Sequence, residues 1–211
     1  MSYEKMVKEE LCPGIVVYKN ILESPKDIIE SIDFAVQSNI VAWQPPYVNN
    51  GDEDYIDKDS RDVDVISIPF PNHNIDFFEK NIINDASDQE IFQNTIGNIL
   101  KESFEDYIND YRSFYLIENY QKYDSFQILK YGNGQHFSNH VDDCLAYHRR
   151  ISMSYYLNND FDGGEIEFPR FNLKYKPEGN DLLLFPSTYI YNHKIYPVTD
   201  GTRYAVVNWI H

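Results

Sequence analysis

The sequence predicts an α+β fold in which N-terminal helices buttress a C-terminal double-stranded β-helix, the jelly-roll or cupin-like barrel. Two observations predict it. Apolar residues recur at helical spacing in two stretches of the first half, and from Arg112 onward the period changes to two, in short runs separated by Gly and Pro. Eight such runs at close spacing suit two facing sheets. With 211 residues the chain can bury a full core. The expected partition is one domain over 1–211: helical support over 1–111, carrying a lid loop at 45–64 and an edge strand, then the barrel over 112–211.

The first helix is expected over 24–38, SPKDIIESIDFAVQS. Ser24 is placed to cap it, Pro25 takes the first helical position, Asp27 stands three after the cap, and Ile28, Ile29, Ile32 and Val36 follow at helical spacing. The second is expected over 88–110, with Ile91, Phe92, Ile96, Ile99, Leu100, Phe104, Tyr107 and Ile108 on one apolar stripe that backs the sheet. A strand at 63–68 joins the barrel's edge. The eight later runs are SFYLIENY, SFQILKY, RRISMSYYL, GEIEF, FNLKY, DLLLF, TYIYNHKIY and RYAVVNWIH, punctuated by turns at 162–164, Pro169, 177–179 and 200–201. Eighteen Tyr and thirteen Phe agree with sheet and aromatic packing.

Composition excludes several partners. With 34 acidic against 18 basic residues the net charge of −16 repels phosphate backbones and anionic membrane surfaces, so neither nucleic acid nor a membrane is an expected partner. The opening MSYEKMVKEELCPG has no apolar run of signal-peptide length, and no later stretch approaches the roughly 18–20 apolar residues that span a bilayer, which predicts a cytoplasmic protein. Two cysteines, Cys12 and Cys144, are too few for a disulfide framework and are expected as free thiols, Cys144 as a small buried one. The acidic run NNGDEDYIDKDSRDVD at 49–64 is a solvated loop by default.

The stretch YGNGQHFSNHVDDC at 131–144 concentrates metal-ligand chemistry. Gly132 and Gly134 and the flanking strand-like runs disfavour a helix that would join His136 to His140. On a strand His140 and Asp142 project to the same side, with Cα atoms roughly 6.6 Å apart, close enough to share one ion. The third ligand is sought among His73, His136, His148, His193 and His211, of which His193 lies on a later alternating segment that a barrel can bring alongside. Two His and a carboxylate on one face of an octahedral ion leave three positions open, the arrangement of non-haem Fe(II) oxygenases. Arg203, ten residues after His193 and expected on the next strand of a hairpin turning at 200–201, adds a cation suited to a bidentate carboxylate at the barrel mouth.

Together Tyr131-Gly-Asn-Gly, Phe137, His140, Asp142, RRISMSYYLN, DGGEIEFP, KPEGNDLLLFP, His193 and GTRYAVVNWIH resemble the prolyl 4-hydroxylase branch of the Fe(II)/2-oxoglutarate dioxygenases, in consistent order from about Phe126 onward. The resemblance implies that His140, Asp142 and His193 bind Fe(II) and that Arg203 holds the distal carboxylate of 2-oxoglutarate, where many collagen-type relatives have Lys. It implies Tyr131, Tyr156 and Trp209 around the oxoglutarate pocket and Arg149 at the substrate mouth. Alternation alone leaves open whether Tyr155 or Tyr156 points inward; the family pattern favours Tyr156. The cofactors implied are Fe(II), 2-oxoglutarate as cosubstrate and O2, with ascorbate as an accessory reductant. The activity implied is hydroxylation of prolyl residues in a peptide or protein. The alternatives are a free amino acid or other small metabolite as substrate, and a non-catalytic cupin-type binding module. The segment at 49–64 is expected to fold over a bound peptide, with Arg61 anchoring one hinge, and its charge predicts a peptide that is neutral or basic near the target.

Overall fold

The computed structural model describes residues 6–49, 54–71, 86–118, 122–143 and 148–211. Two antiparallel sheets dominate. Among the described residues the major sheet has seven strands, in the order Lys8–Cys12, Ile15–Lys19, Asp181–Pro186, Ile151–Tyr156, Arg203–Ile210, Phe126–Tyr131 and Asp64–Ile68. The minor sheet has five, in the order Leu173–Tyr175, Ile166–Phe168, His193–Ile195, His136–His140 and Arg61–Asp62. From Phe126 onward the chain passes back and forth between the two sheets, apart from the minor-sheet hairpin of Ile166–Phe168 and Leu173–Tyr175, the wiring of a double-stranded β-helix.

The period of two sorts the major sheet's side chains onto its two faces. Ile15, Val17, Leu129, Tyr131, Tyr156, Leu183, Phe185 and Ala205 pack with Ile166, Phe168 and Ile195 of the minor sheet as the barrel interior. Val16, Tyr18, Ile128, Met153, Tyr155, Leu182 and Val206 face the other way, against helix α1 (Pro25–Gln37) and helix α2 (Asp88–Phe114). Tyr155 therefore meets Phe104 of α2, with ring centroids 5.1 Å apart, while Tyr156 enters the barrel.

Several expectations are corrected. α2 continues to Phe114, so the SFYLIENY run forms no strand within the described residues. Its apolar stripe extends to Tyr111, whose hydroxyl donates to the Gly14 carbonyl at 2.8 Å, and Arg112 in the last turn donates to the Glu118 carbonyl at 2.7 Å. Leu116, at φ 54, then ends the helical path. The stripe is narrower than expected: Ile96, Leu100, Phe104 and Ile108 are buried, but Ile91 and Ile99 are exposed. α2 opens with a reciprocal capping box between Ser87 and Glu90, whereas Ser24 of α1 donates to Asp27 Oδ1 at 2.7 Å and makes no side-chain cap.

The N-terminal support contributes more strand than expected. Lys8–Cys12 and Ile15–Lys19 form a hairpin closed by Pro13 and Gly14, with Gly14 at φ +80, and Ile15–Lys19 pairs with Asp181–Pro186. The barrel accordingly begins with Phe126–Tyr131 and borrows strands from residues before 112. His193 and Arg203 are not hairpin partners. Val198–Gly201 leaves the minor sheet to pair with Phe161–Gly163, so that Arg203 enters the opposite sheet. Tyr189–Tyr191, within an expected strand, is a 3-10 turn. No helix among the described residues is long and apolar enough to cross a membrane.

Candidate functional site

His140 and His193 pair across the minor sheet, and Asp142 follows just beyond the end of the first strand. Their ligand atoms lie within 4.8 Å of one another, the one such group among the described residues. Nε2 of His140 stands 3.4 Å from Asp142 Oδ1, and Nε2 of His193 stands 3.8 Å from Asp142 Oδ2. A bulge aims them. Phe137 pairs with Ile195 and His140 with His193, so three steps along one strand match two along the other. The extra residue reverses the alternation, placing His140 beside Phe137 in a stack at 3.5 Å between centroids. His136 turns elsewhere, towards the Gly134 and Asp59 carbonyls.

Each ligand is held from behind. Nδ1 of His140 lies 2.8 Å from the Ser138 carbonyl and Nδ1 of His193 lies 3.1 Å from the Tyr191 carbonyl. A carbonyl accepts only, so both rings carry their proton on Nδ1 and turn an Nε2 lone pair to the centre. Burial, reinforced by the neighbouring His140, pushes the His193 pKa down to about 4, so this imidazole is neutral and ready to ligate near neutral pH. Burial alone would raise the Asp142 pKa, but the two imidazoles and the Ser152 hydroxyl hold it below the ordinary carboxylate range. Ser152 donates to Asp142 Oδ2 at 2.5 Å and meets Ser187 at 2.8 Å.

Arg203 lines the same cavity as the three ligands. It is 1 % exposed, its guanidinium lies 4.7 Å from the Tyr131 ring and 5.0 Å from the Tyr156 ring, and its Nε and Nη1 have no hydrogen-bond partner. The Tyr156 hydroxyl is likewise buried without a partner. Buried donors without acceptors are rare, and a cation left so points to an anionic ligand. Gly164 makes room for the stem: at φ +62, a Cβ there would stand 2.9 Å from Arg203 Cδ. Trp209 carries the Arg149 guanidinium on its ring face at 3.9 Å. Arg149 also bonds Asp124 through Nε and Nη2, at 2.9 and 2.8 Å, and the Asp142 carbonyl through Nη1 at 3.2 Å.

The donor set fits Fe(II) and 2-oxoglutarate: two imidazoles and a carboxylate on one side of a cavity, a cation with unpartnered donors on the other. The structure brings together His140, Asp142, His193, Arg203, Tyr131 and Trp209 around that cavity, with Tyr156 against Arg203. His148 is exposed, His211 bonds Asp124, and His73 and Cys144 lie outside the described residues. Within the acidic loop Asp57 caps a turn through the Asp59 and Ser60 amides, and residues 50–53 lie outside the described residues. Arg61, expected to anchor the loop, is buried. It is 7 % exposed, pairs in register with Phe137 and stacks over its ring at 5.0 Å. Sequence reasoning missed Ser152 and Ser187, although Ser152 shares the inward parity of Tyr156 in RRISMSYYL.

Comparisons agree with this geometry. The 2OG-Fe(II) oxygenase superfamily matches over residues 126–211. A PKHD-type hydroxylase of Idiomarina loihiensis is 34 % identical over 89 residues, covering 39 % of this chain and 40 % of its own. The chain thus spans about two fifths of the length of such curated relatives. Among solved structures, a Trichoplax adhaerens prolyl hydroxylase in complex with a hypoxia inducible factor oxygen degradation domain peptide superposes with a TM-score of 0.69 at 18 % identity, covering 93 % of this chain and 83 % of that one. A Pseudomonas putida prolyl-4-hydroxylase gives a TM-score of 0.65 at 14 % identity, covering 94 % and 92 %. These structures share the jelly-roll fold.

Proposed function

We propose that this protein, which matches the 2OG-Fe(II) oxygenase superfamily over residues 126–211, is a 2-oxoglutarate-dependent dioxygenase that hydroxylates prolyl residues in a peptide or protein. The observation that carries the reading is Arg203, a buried cation with two orphaned donors opposite the His140, Asp142 and His193 cluster. A binding module without turnover has no use for both anchors.

When bound, Fe(II) and 2-oxoglutarate supply the oxidising chemistry: O2 and 2-oxoglutarate become succinate and CO2, and a substrate C–H becomes C–OH. The chain's own part is ligation, orientation and exclusion of water. His140, Asp142 and His193 would hold the metal, and the carbonyls behind the imidazoles, with Ser152 behind the carboxylate, keep the three side chains from turning. Arg203, with Nε and Nη1 buried and without partners, would hold the distal carboxylate of 2-oxoglutarate, and the Tyr156 hydroxyl would offer a further donor to the same group. The Tyr131 and Tyr156 rings close the wall against water. Arg149, stacked on Trp209 and bonded to the Asp142 carbonyl, ties the substrate side of the cavity to the metal-binding loop.

The Trichoplax neighbour is held with a peptide, which supports a peptide over a free amino acid. The test is succinate release from 2-oxoglutarate with Fe(II), ascorbate being added to keep the iron ferrous. Stimulation by proline peptides supports the proposal, and stimulation by free proline alone replaces it with a small-molecule hydroxylase.

A further inference from the structure

Outside the cavity, a groove runs along the free edge of the major sheet, between strand Asp64–Ile68, the 39–47 segment and the start of α2. In a chain of net charge −16, its lining among the described residues holds no carboxylate and no lysine. Five amides line it, Asn39, Gln44, Gln89, Gln93 and Gln127, with Ser67 and Arg61. An amide offers a donor and an acceptor, which is what a peptide main chain requires.

Arg61 joins this groove to the cavity, since it lines both. Its Nη1 donates to the Tyr47 carbonyl at 3.0 Å and its Nη2 to Gln127 Oε1 at 2.8 Å, while the buried Nε–H has no partner. The sheet edge beside it is already partly engaged. Val65 exchanges backbone bonds with Gln44, and the Ser67 carbonyl accepts from Gln93 Nε2 at 3.2 Å. An extended chain laid here meets side-chain amides from the 39–47 segment, the sheet and the helix, and one arginine where the groove joins the cavity of His140, Asp142 and His193.

We propose that this groove holds the segment of the substrate peptide next to the target residue, extended and carrying uncharged polar side chains, with Arg61 donating its Nε–H to a carbonyl oxygen of that segment. The inference rests on reading the protein as a peptide hydroxylase. A basic side chain lowered here finds no carboxylate to pair with among the described residues, and an acidic one is opposed by the charge of the whole chain. The groove thus selects differently from the acidic loop, whose charge favours neutral or basic peptides.

The experiment compares the full chain, loaded with Fe(II) and 2-oxoglutarate, on a proline tripeptide and on the same peptide extended at either end by Ser and Gln residues. Versions with Lys or Glu in the extension complete the panel. The Ser/Gln extension should lower KM about tenfold with kcat little changed, and the Lys and Glu extensions should lower it less. In a Gln89→Glu, Gln93→Glu variant the order should reverse in favour of the Lys extension, a change of preference that misfolding cannot produce. Arg61→Lys should reduce the advantage of extended peptide over tripeptide. Equal KM for tripeptide and extended peptides, or an unaltered charge preference in the double variant, overturns the groove assignment while leaving the hydroxylase standing. Absence of succinate with every peptide, in protein that metal and 2-oxoglutarate still stabilise against heat, overturns the prolyl reading and the groove with it.

Discussion

Arg203→Met separates a ligand-binding arginine from a structural one. The substitution removes the guanidinium and keeps most of the apolar stem. In the ligand-free protein Nε and Nη1 are buried without partners, and each unmade donor costs roughly 1–3 kcal/mol. Against this stand the contacts with the Tyr131 and Tyr156 rings at 4.7 and 5.0 Å, worth roughly 0.5–2 kcal/mol each. The orphaned donors outweigh the rings, so the variant without ligand should be more stable by about 1–2 kcal/mol, or about 2–8 °C in Tm for a chain of this length. The same change removes a charge-assisted pair of roughly 1.5–3 kcal/mol, so 2-oxoglutarate should bind about 10- to 150-fold more weakly. Thermal unfolding with and without metal and 2-oxoglutarate reads both effects. A variant that melts below the parent when empty, yet is stabilised by 2-oxoglutarate as strongly as the parent, refutes the assignment.

Three other outcomes follow from the same geometry. Ser152→Ala takes the 2.5 Å donor from Asp142 Oδ2 and should weaken metal binding about 10- to 100-fold, measured by metal titration of the folded protein. Gly164→Ala places a Cβ 2.9 Å from Arg203 Cδ at a φ of +62, and should cost roughly 1–3 kcal/mol of stability and raise the KM for 2-oxoglutarate. Tyr111→Phe leaves the Gly14 carbonyl without its buried donor and should lower stability by roughly 1–3 kcal/mol in denaturant titration with kcat unchanged, since this bond joins α2 to the N-terminal hairpin far from the ligands.

The proximity of His140, Asp142 and His193 was legible because an HxD spacing, a distant His on an alternating segment and a buried-cation candidate are each local signals, although Asp142 lies just past the strand that ends at His140. Tyr156 shows the limit: alternation separates it from Tyr155, but only the packed sheet says which face is the barrel interior. The His136–His140 strand shows another, since its bulge comes from pairing with His193–Ile195 and no local residue type announces it. The first hairpin could have been read, because IVVYK is β-branched and apolar and follows Pro-Gly, but the helical stripes nearby dominated. The end of α2 was misplaced because SFYLIENY has strand composition, while Tyr111 and Arg112 find tertiary partners that only the helix supplies. Arg61 was invisible as a buried group because it sits in a run of aspartates, and burial is set by Phe137 across the sheet.

The most direct test of the central claim is oxygen labelling. With Fe(II), 2-oxoglutarate, a proline peptide and O2 enriched in the heavy isotope, mass spectrometry should find one labelled oxygen in succinate and one in the hydroxylated peptide, formed in equal amounts. His140→Ala and His193→Ala should release neither product, and His136→Ala should release both. Label in the succinate without any in the peptide, or turnover that survives loss of His140 or His193, would contradict the account.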